Sequence, residues 1–562
     1  MTTRIFGSGI RRREDPRLIT GQATYTDDVK LVGMAYAAIL RSPHPHARIS
    51  SVDGSAAESM PGVVAVYTGA DTDGVLNPMP CAWVVPDSDV KAVAYPPLAK
   101  DVVRYTGDAV AVVVAESREQ AEDALEAINV NYQVLPSVTS PEVATQQGAP
   151  QLHDDAPGNQ AFHWVVSGGD TDAAFQSPEV LVKDTILQQR LIPNAMETRS
   201  AVASYASAMG DLTLWSTTQN PHIVRFLCSL VTGLGEHKIR VIAPEVGGGF
   251  GSKVPMYPSE MIAVFCSMKL GRPVKWTESR TENYQATTHG RDHIEYVEMA
   301  ATREGKITGL RTTVYAGMGA YLSTAAPGIP TILHGLMYSG PYEIPAIRGD
   351  VYGVFTNTTP VDAYRGAGRP EATFLIERLV DMLATELGKD PVEIRRRNLI
   401  PKFDNGHDVV TGLTYDSGDY ELALDTALNH VNYHELRHEQ EHLREHGNYI
   451  GIGVTCYCEI CGLGPSQVAG AVGFGGGLWE SAIVRFHATG KVNVFVGTSP
   501  HGQGEETTFA QVVSDELGVP VEDIEVVHGD TDNTPMGWGT YGSRTTVVGG
   551  AAVALSSRKI KE

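Results

Sequence analysis

The sequence lacks the long apolar runs and the excess of basic residues that are typical of membrane-spanning or nucleic-acid-binding proteins. No apolar run approaches the roughly 18–20 residues that a membrane span needs. The N-terminal residues 1–7 also contain no apolar stretch of signal-peptide length. The 44 basic and 66 acidic residues give a formal net charge of −22, which disfavours nucleic acids and anionic membranes as main partners. We therefore expect a cytoplasmic protein.

Cysteine is scarce, with six in 562 residues, as is typical of a reducing compartment. Three of them, Cys456, Cys458 and Cys461, lie close together. This spacing can be interpreted as a metal or iron–sulfur ligand set, but tight sites usually contain paired Cys-x-x-Cys units and no fourth ligand lies nearby. A packed segment with buried thiols is favoured. The histidines at positions 222, 289 and 501 lie on separate segments without ligand spacing, so ordinary polar histidines are favoured there too.

The length of 562 residues is too great for one hydrophobic core, since domains usually contain about 100–200 residues. We divide the chain into a small α/β domain at residues 1–145, a second domain at 146–401 and a third at 402–562. In the first domain a β-branched run predicts a buried strand at 110–115, and Ser117 is placed to cap a helix at 119–128. A strand at 130–134 and a linker at 137–158 follow.

Apolar periodicity predicts most of the remaining elements. Helices are predicted at 259–270, at 371–387 and from Pro391, where Asp390 is placed as the cap. The helix at 371–387 has an apolar side formed by Phe374, Leu375, Leu379, Met382 and Leu383. For the third domain we predict a charged helix at 434–446, a β-rich segment from Ile450 with a hairpin at 481–487 and 491–497, and helices at 511–517 and 548–562.

Glycine is plentiful, with 58 residues, and four glycine-rich turns lie at 244–253, 363–371, 501–508 and 539–546. Glycine lets the backbone approach a ligand closely and adopts positive φ without strain. The turns match neither a phosphate loop nor a dinucleotide-binding fingerprint, which disfavours an unrelated nucleotide-binding enzyme. Each turn carries a polar or cationic side chain. The set therefore indicates a large polar cofactor that is held at several points.

Particular side chains in these turns suit particular contacts. Arg365 can bind a phosphate or an oxyanion through its planar fork, and the Gln503 amide can pair with the edge of a heterocycle. Ser543, Arg544 and Thr545 offer hydroxyl and guanidinium groups for a phosphate. Taken singly, each turn also fits a tight strand-to-helix connection, a surface ion pair or a plain hairpin. The prediction depends on their occurring together.

Together these segments resemble the molybdopterin-binding large subunit of the xanthine dehydrogenase and aerobic carbon monoxide dehydrogenase family. The resemblance covers essentially the whole chain and includes residues 21–28, 40–47, 216–222 and 396–400 besides the four turns. It implies an α+β fold, in which an N-terminal α/β hammerhead domain (1–145) precedes two molybdopterin-binding α+β domains (146–401 and 402–562), the last one incomplete. The segment from Gly462 onward resembles the carbon monoxide dehydrogenase branch most.

The resemblance also implies cofactors, partners and an activity. The cofactor would be molybdenum–molybdopterin, commonly the cytosine dinucleotide form in bacteria, with no direct protein ligand to the metal. The partners would be a flavin-binding (FAD) medium subunit and a small subunit with [2Fe-2S] clusters, in a dimer of heterotrimers. The complex would oxidise a small molecule with oxygen from water and pass electrons to iron–sulfur and flavin.

Site residues are carried over by position from the resemblance. Gln219, Phe250 and Arg365 are expected in catalytic roles, with Gln219 hydrogen-bonded to an oxygen ligand of molybdenum and Arg365 in the active-site loop. Contacts to the cofactor are expected from these three and from Gly249, Gly251, Gln503, Gly504, Thr507, Tyr541, Gly542, Ser543, Arg544 and Thr545.

The sequence departs from two specialised branches of the family. The carbon monoxide enzymes carry a copper-binding cysteine directly after the loop arginine, where this chain has Gly366. Purine-oxidising members carry a glutamate, an arginine and a stacking phenylalanine at positions that correspond to Val254, Leu333 and Ala367. We therefore expect an aldehyde or an N-heterocycle as substrate, rather than carbon monoxide or xanthine.

The general-base glutamate of the family, which lies in a downstream Val-Gly-Glu motif, is absent from this chain. This absence, with a final predicted helix that has no terminating signal, leads to the expectation of a C-terminally truncated subunit. Two alternatives stay open. The chain could be a degenerate, non-catalytic paralogue that acts as a scaffold, or it could be a carbon monoxide dehydrogenase large chain.

Overall fold

The computed structural model describes residues 4–562, and its elements are numbered here in chain order. The strands are β1 (Ala35–Arg41), β2 (Ala47–Asp53), β3 (Val63–Thr68), β4 (Val102–Val103), β5 (Ala109–Ala115), β6 (Asn129–Val134), β7 (Gln160–Gly168), β8 (Val180–Gln188), β9 (Ser200–Ala206), β10 (Asp211–Ser216), β11 (Ile239–Ile242), β12 (Val274–Thr277), β13 (His293–Ala301), β14 (Ile307–Gly319), β15 (Ile347–Phe355), β16 (His407–Asp408), β17 (Thr414–Tyr415), β18 (Ala482–Phe486), β19 (Val492–Val496) and β20 (Ile524–Val527).

The α-helices are α1 (Asp15–Ile19), α2 (Ser55–Glu58), α3 (Arg118–Leu125), α4 (Pro141–Ala144), α5 (Thr171–Gln176), α6 (Pro221–Thr232), α7 (Pro258–Leu270), α8 (Arg280–Ala286), α9 (Ile332–Gly335), α10 (Arg369–Leu387), α11 (Pro391–Asn398), α12 (Tyr420–His430), α13 (Tyr433–Glu445), α14 (Ser466–Ala471), α15 (Glu505–Leu517) and α16 (Gly550–Lys561). A π-helical turn, Thr545–Gly549, leads directly into α16. Among the residues described, no helix is both long and apolar enough to cross a membrane.

The largest sheet has the strand order β11-β10-β9-β12-β1-β5-β3. Strand β1 pairs in parallel with β12, with Ala35 opposite Val274, so one sheet crosses the domain boundary that we predicted between 145 and 146. Strand β5 is buried along its whole length because helices cover both faces of the sheet. Ser117 caps α3 as predicted, with its side chain accepting a hydrogen bond from the backbone N–H of Gln120 at 3.2 Å.

A five-stranded sheet, in the order β7-β15-β14-β13-β8, packs against the long helix α10. On α10 the fully buried positions include Leu375, Leu379 and Leu383, as predicted. Phe374 was wrongly included in the apolar side, since its side chain is 51% exposed. The buried stripe follows spacings of three and four residues through Leu375, which turns the preceding residue toward solvent.

The third unit combines the sheet β18-β19-β20 with helices α15 and α16. The predicted hairpin is present, with Ala482 paired to Val496 in antiparallel register. Helix α15 begins at Glu505, earlier than predicted, because Gly504 adopts φ +86° and starts the helix. Residues 450–465 were predicted to begin a β-rich segment, but they form no regular element and instead run along α10, where Cys456 N–H donates to Glu377 at 3.0 Å.

Two connecting segments pack more closely than the sequence indicated. The predicted linker at 137–158 contains α4, and its Val138, Ala144 and Leu152 join the core of the five-stranded sheet. The N-terminal segment lies on the third unit, where the backbone N–H of Ile5 donates to Asp515 at 2.7 Å. Both segments tie sequence-distant parts of the chain around the site described next.

Candidate functional site

The four glycine-rich turns converge on one open cleft of about 720 Å³. The predicted residues that line this cleft are Gln219, Phe250, Gly251, Arg365, Gln503, Tyr541, Gly542, Ser543, Arg544 and Thr545. Gly249, Gly504 and Thr507 do not line it. Segments separated by hundreds of residues in sequence therefore meet at one place, as the recurrence of the turns predicted.

Gln219 connects the first and the fourth turn. It is buried, its Oε1 accepts a hydrogen bond from the Gly251 N–H at 3.0 Å, and its Nε2 donates to the Thr540 carbonyl at 2.8 Å. Gly249 lies directly against this side chain, since a Cβ at that position would be 2.4 Å from Gln219 Oε1. The Gln219 amide therefore fixes the two turns relative to each other. The second N–H of the Gln219 amide is not used in the bond to Thr540.

Backbone geometry in the first turn requires glycine. Gly251 has φ +102°, and a Cβ there would lie 2.3 Å from the carbonyl oxygen of Ala363 in the second turn. The adjacent Phe250 accepts a hydrogen bond from the Arg365 N–H at 2.8 Å through its carbonyl. The first and second turns are therefore in direct backbone contact, which a side chain at position 251 would separate.

A buried lysine supports the first turn from behind. Lys253 Nζ lies 2.8 Å from Glu197 Oε2, and the same oxygen accepts from the Gly247 N–H at 2.7 Å. Burial lowers the pKa of Lys253, against the opposing effect of Glu197. Lys253 is therefore an internal support and does not line the cleft.

The second turn is held by a residue that the sequence analysis did not name. Arg291 is buried and donates to the carbonyls of Tyr364 at 3.0 Å and Arg365 at 2.8 Å. Its guanidinium also lies 3.4 Å from the buried carboxylate of Glu371. The Arg365 side chain is exposed on the cleft wall, so a ligand can reach it. The only sequence signal for Arg291 is its position beside Gly290.

The fourth turn corrects one expectation. Arg544 was expected to offer its guanidinium to a phosphate, but it is fully buried and forms an ion pair with the buried Glu480. It also donates to the carbonyls of Gly539 at 2.6 Å and Leu478 at 2.7 Å. Its charge and donors are thus used within the chain, because burial of a guanidinium requires such partners. Arg544 stabilises the turn.

Two hydroxyl-bearing residues of the same turn remain suited to an anion. Ser543 is exposed and has φ +54°, and Thr545 begins the helical stretch that continues into α16. Both line the cleft. A helix N-terminus presents unpaired N–H groups and a partial positive charge, which favours phosphate groups.

The third turn positions Gln503 above a buried carboxylate. Gln503 Oε1 accepts from the His501 N–H at 2.7 Å, and its Nε2 donates to Glu505 Oε2 at 3.0 Å. Burial raises the pKa of Glu505 to about 7. Thr507, by contrast, accepts from the Arg13 N–H at 2.9 Å and donates to Glu14, so it anchors the N-terminal segment.

Several polar atoms near the cleft have no partner within the described part of the chain. They are the buried Tyr541 hydroxyl, Ser499 Oγ and His501 Nδ1. Burial raises the pKa of Tyr541, which keeps its hydroxyl protonated and able to donate. Buried polar atoms without partners are uncommon in folded proteins, and they indicate a ligand that supplies the missing bonds. The cleft therefore fits a large ligand with polar atoms on several sides.

An apolar pocket of about 330 Å³ lies next to the cleft and shares Ala367 and Tyr541 with it. Val254, Leu333 and Ala367, the positions that the family resemblance leads us to compare with purine-binding residues, all line this pocket. Its other walls include Trp83, Phe226, Phe474 and Trp538, which the sequence analysis did not single out because they lie on four unrelated segments. The pocket combines a wide apolar surface with few polar groups.

The histidines and cysteines that were considered as metal ligands differ in their burial. His222, His289 and His501 are largely buried and lie on separate segments, and burial lowers the pKa of each to about 4. Cys456 and Cys458 are partly buried, and burial raises the pKa of each to about 11, whereas Cys461 is exposed. Within residues 4–562, one group of three ligand-type side chains lies close enough to hold a metal, and it is formed by His293, Glu295 and His334.

Comparison with known proteins assigns the three parts of the chain. Residues 20–136 match the a/b hammerhead domain of aldehyde oxidase and xanthine dehydrogenase, and residues 152–399 and 426–562 each match a molybdopterin cofactor-binding domain. The chain is 42% identical to the carbon monoxide dehydrogenase large chain of Hydrogenophaga pseudoflava, with 98% of this chain and 69% of that protein covered.

Two further proteins with different names are also similar. The nicotine 6-hydroxylase large subunit of Paenarthrobacter nicotinovorans is 36% identical over 100% of this chain and 68% of its own length. The crystal structure of quinoline 2-oxidoreductase from Pseudomonas putida 86 superposes with a TM-score of 0.94 at 35% identity, with 99% of this chain and 70% of that chain covered.

Proposed function

The chain belongs to the molybdopterin-binding large subunits of the xanthine dehydrogenase and carbon monoxide dehydrogenase family, and from this premise we propose that it oxidises an aldehyde or an N-heterocycle together with partner subunits. The observation that carries the proposal is the convergence of the four glycine-rich turns on one cleft beside an apolar pocket. A cofactor in the cleft and a substrate in the pocket would share the wall formed by Ala367 and Tyr541.

The residues of the cleft fit a molybdenum–pterin cofactor. The Gly251 backbone approaches Ala363 so closely that no side chain can stand between them. The Tyr541 hydroxyl and His501 Nδ1 have no hydrogen-bond partner among residues 4–562 and can bind the cofactor. The free N–H of Gln219 and the backbone of Phe250 would face the metal end. Gln503 would hold the pterin through hydrogen bonds to its heterocycle.

Ser543 and Thr545, at the start of a helical stretch, would bind a phosphate or diphosphate of the cofactor. This arrangement supports the cytosine dinucleotide form, which has a diphosphate that an unextended molybdopterin lacks. When bound, the cofactor supplies the two-electron redox chemistry, while the protein orients the substrate and excludes competing reactions. The exposed Arg365 would attract the anionic part of the cofactor or a developing negative charge on the substrate.

The apolar pocket supports a flat heterocycle as substrate. The Phe474 ring packs edge-on against Trp83 at 5.7 Å and Trp538 at 5.2 Å between centroids, which forms a continuous aromatic wall. The Trp538 indole N–H is buried and lacks a partner among the described residues, so it can donate to a ring nitrogen or a carbonyl oxygen. Val254, Leu333 and Ala367 offer no charge to bind a purine.

Carbon monoxide is a second candidate because of the 42% identity to a carbon monoxide dehydrogenase large chain. The second turn disfavours it. A Cβ at Gly366 would lie 2.1 Å from the Pro370 ring, and the φ of +100° is unfavourable for any other residue. This backbone therefore leaves no room for a copper-binding cysteine at that position.

Electrons would leave through [2Fe-2S] clusters on a small subunit and FAD on a medium subunit. The three subunits would form a dimer of heterotrimers in the cytoplasm.

The test is steady-state turnover of the complete assembly with a dye acceptor, comparing quinoline, an aromatic aldehyde, xanthine and carbon monoxide. We expect turnover with quinoline or the aldehyde. If the assembly oxidises only carbon monoxide or only xanthine, the substrate assignment is contradicted. If an assembly that contains molybdenum oxidises none of the four compounds, a scaffold role is supported.

A further inference from the structure

Helix α13 carries a histidine at every fourth position and lies outside the cofactor cleft. His434, His438 and His442 lie within the helix and His446 is its C-cap residue. We name these four residues the histidine stripe. From its sequence this segment is predicted only as a charged helix, and the proposed oxidation chemistry makes no use of it.

Helix geometry places neighbouring members of the stripe side by side. Residues four positions apart lie on the same face of an α-helix, with about 5–6 Å between their Cβ atoms. All four side chains are exposed. The opposite face is fixed to the protein, since the Tyr433 hydroxyl donates to Asp390 at 3.0 Å and Gln440 Nε2 donates to the Ile450 carbonyl at 2.9 Å. The stripe therefore faces solvent in a defined register.

Two neighbouring members of the stripe, His442 and His446, have their rings close together. The rings of His442 and His446 lie 4.5 Å apart between centroids. His446 Nδ1 lies 2.8 Å from the backbone carbonyl of His442, so it donates its proton there. A neutral imidazole with Nδ1 protonated presents the lone pair of Nε2. Metal-binding histidines are usually oriented in this way, by donation from the other ring nitrogen to a backbone carbonyl.

The histidine stripe begins at His434, and exposed glutamates lie on the same helix. His430 also lies four residues before His434, but Asn432 between them has φ +50° and ends the helical register, so His430 is not part of it. Glu435, Glu439, Glu441 and Glu445 are exposed on the same helix. Their charges raise the local concentration of cations.

We propose that the histidine stripe is a surface site for borderline divalent cations such as Zn²⁺, Ni²⁺ or Cu²⁺. Each ion is chelated by two imidazoles from neighbouring turns, and water fills its other positions. Imidazole nitrogen favours these metals over Mg²⁺ and Ca²⁺, which prefer oxygen. The site is separate from the cofactor cleft, because none of its four histidines lines that cleft.

Two double variants separate chelation from the mere number of histidines. His438→Gln with His442→Gln leaves His434 and His446, which are twelve residues and about 18 Å apart along the helix axis. His434→Gln with His438→Gln also leaves two histidines, His442 and His446, which are the pair with rings 4.5 Å apart. Circular dichroism of both variants checks that the helix content of the full chain is unchanged.

The measurement is isothermal titration of the full chain with ZnCl₂ at neutral pH, with Mg²⁺ as the competing hard cation. We expect the variant that keeps the pair at 442 and 446 to bind Zn²⁺ roughly tenfold or more tightly than the variant without a pair, because the second imidazole binds within one molecule. Equal affinity of the two variants, or binding of Mg²⁺ as tight as that of Zn²⁺, would overturn the proposal.

Discussion

Substitution of Gly251 by alanine should separate the first two turns of the cofactor cleft. The new Cβ would lie 2.3 Å from the Ala363 carbonyl oxygen and 2.8 Å from its carbon. Ordinary carbon–oxygen contacts lie near about 3.3 Å, so the two backbones must separate by roughly 1 Å. That displacement stretches the hydrogen bond between the Arg365 N–H and the Phe250 carbonyl, now 2.8 Å long.

The energetic effect has two parts. Alanine at positive φ costs about 1–2 kcal/mol at any such position. At Gly251 the steric contact is added, and a displacement of about 1 Å in a site can lower the rate by roughly 100-fold. Gly412→Ala is the matched control, since Gly412 has φ +94° and no atom within 4 Å of its Cβ position, and it lies outside the cleft.

The assay compares the free energy of unfolding in urea and the molybdenum content of assemblies that contain each variant. Both variants should have a lower free energy of unfolding, because alanine at positive φ is unfavourable. Only Gly251→Ala should lose further stability and most of its molybdenum. If the two variants retain the same molybdenum content, the close approach of the first and second turns does not matter for cofactor binding, and the reasoning is refuted.

The remaining predictions concern two arginines and one glutamate. Arg544→Ala leaves the buried Glu480 without its ion-pair partner and should lower the free energy of unfolding by about 3–5 kcal/mol. Arg365 is exposed, so Arg365→Ala should change the free energy of unfolding by less than about 0.5 kcal/mol. It should nevertheless reduce cofactor content. Urea unfolding of both variants tests this, and comparable losses of stability would contradict it. Burial raises the pKa of Glu505 from 4.5 to about 7, so the native state keeps a proton that the unfolded state releases, and native stability falls as pH rises through this window. Glu505→Gln removes this fall, so its stability relative to the parent should increase between pH 4.5 and pH 7; a pH-independent difference would exclude the shift.

Much of the fold follows from local sequence signals. Ser117 caps α3 as predicted because the preference of serine for that position depends only on neighbouring residues. The hairpin of β18 and β19 was likewise predicted from alternation around a short glycine turn. The grouping of the four turns into one cleft came from their chemistry and from the family resemblance.

The errors arose where distant contacts decide the outcome. Arg544 pairs with Glu480, which lies 64 positions earlier in the chain, and no local pattern reveals that this arginine is buried. Thr507 lies within the third turn, but its side chain contacts Arg13 and Glu14 from the opposite end of the chain. The support that Arg291 gives to the second turn is another contact between segments that only the folded structure brings together.

The central claim is that the four turns hold one molybdenum–pterin cofactor. Its most direct test is the elemental molybdenum content of the assembly purified with this chain, measured together with the nucleotide released by acid. We predict about one molybdenum and one cytidine nucleotide per chain, with both lost in the Gly251→Ala variant. An assembly that contains this chain but neither molybdenum nor a pterin would contradict the account.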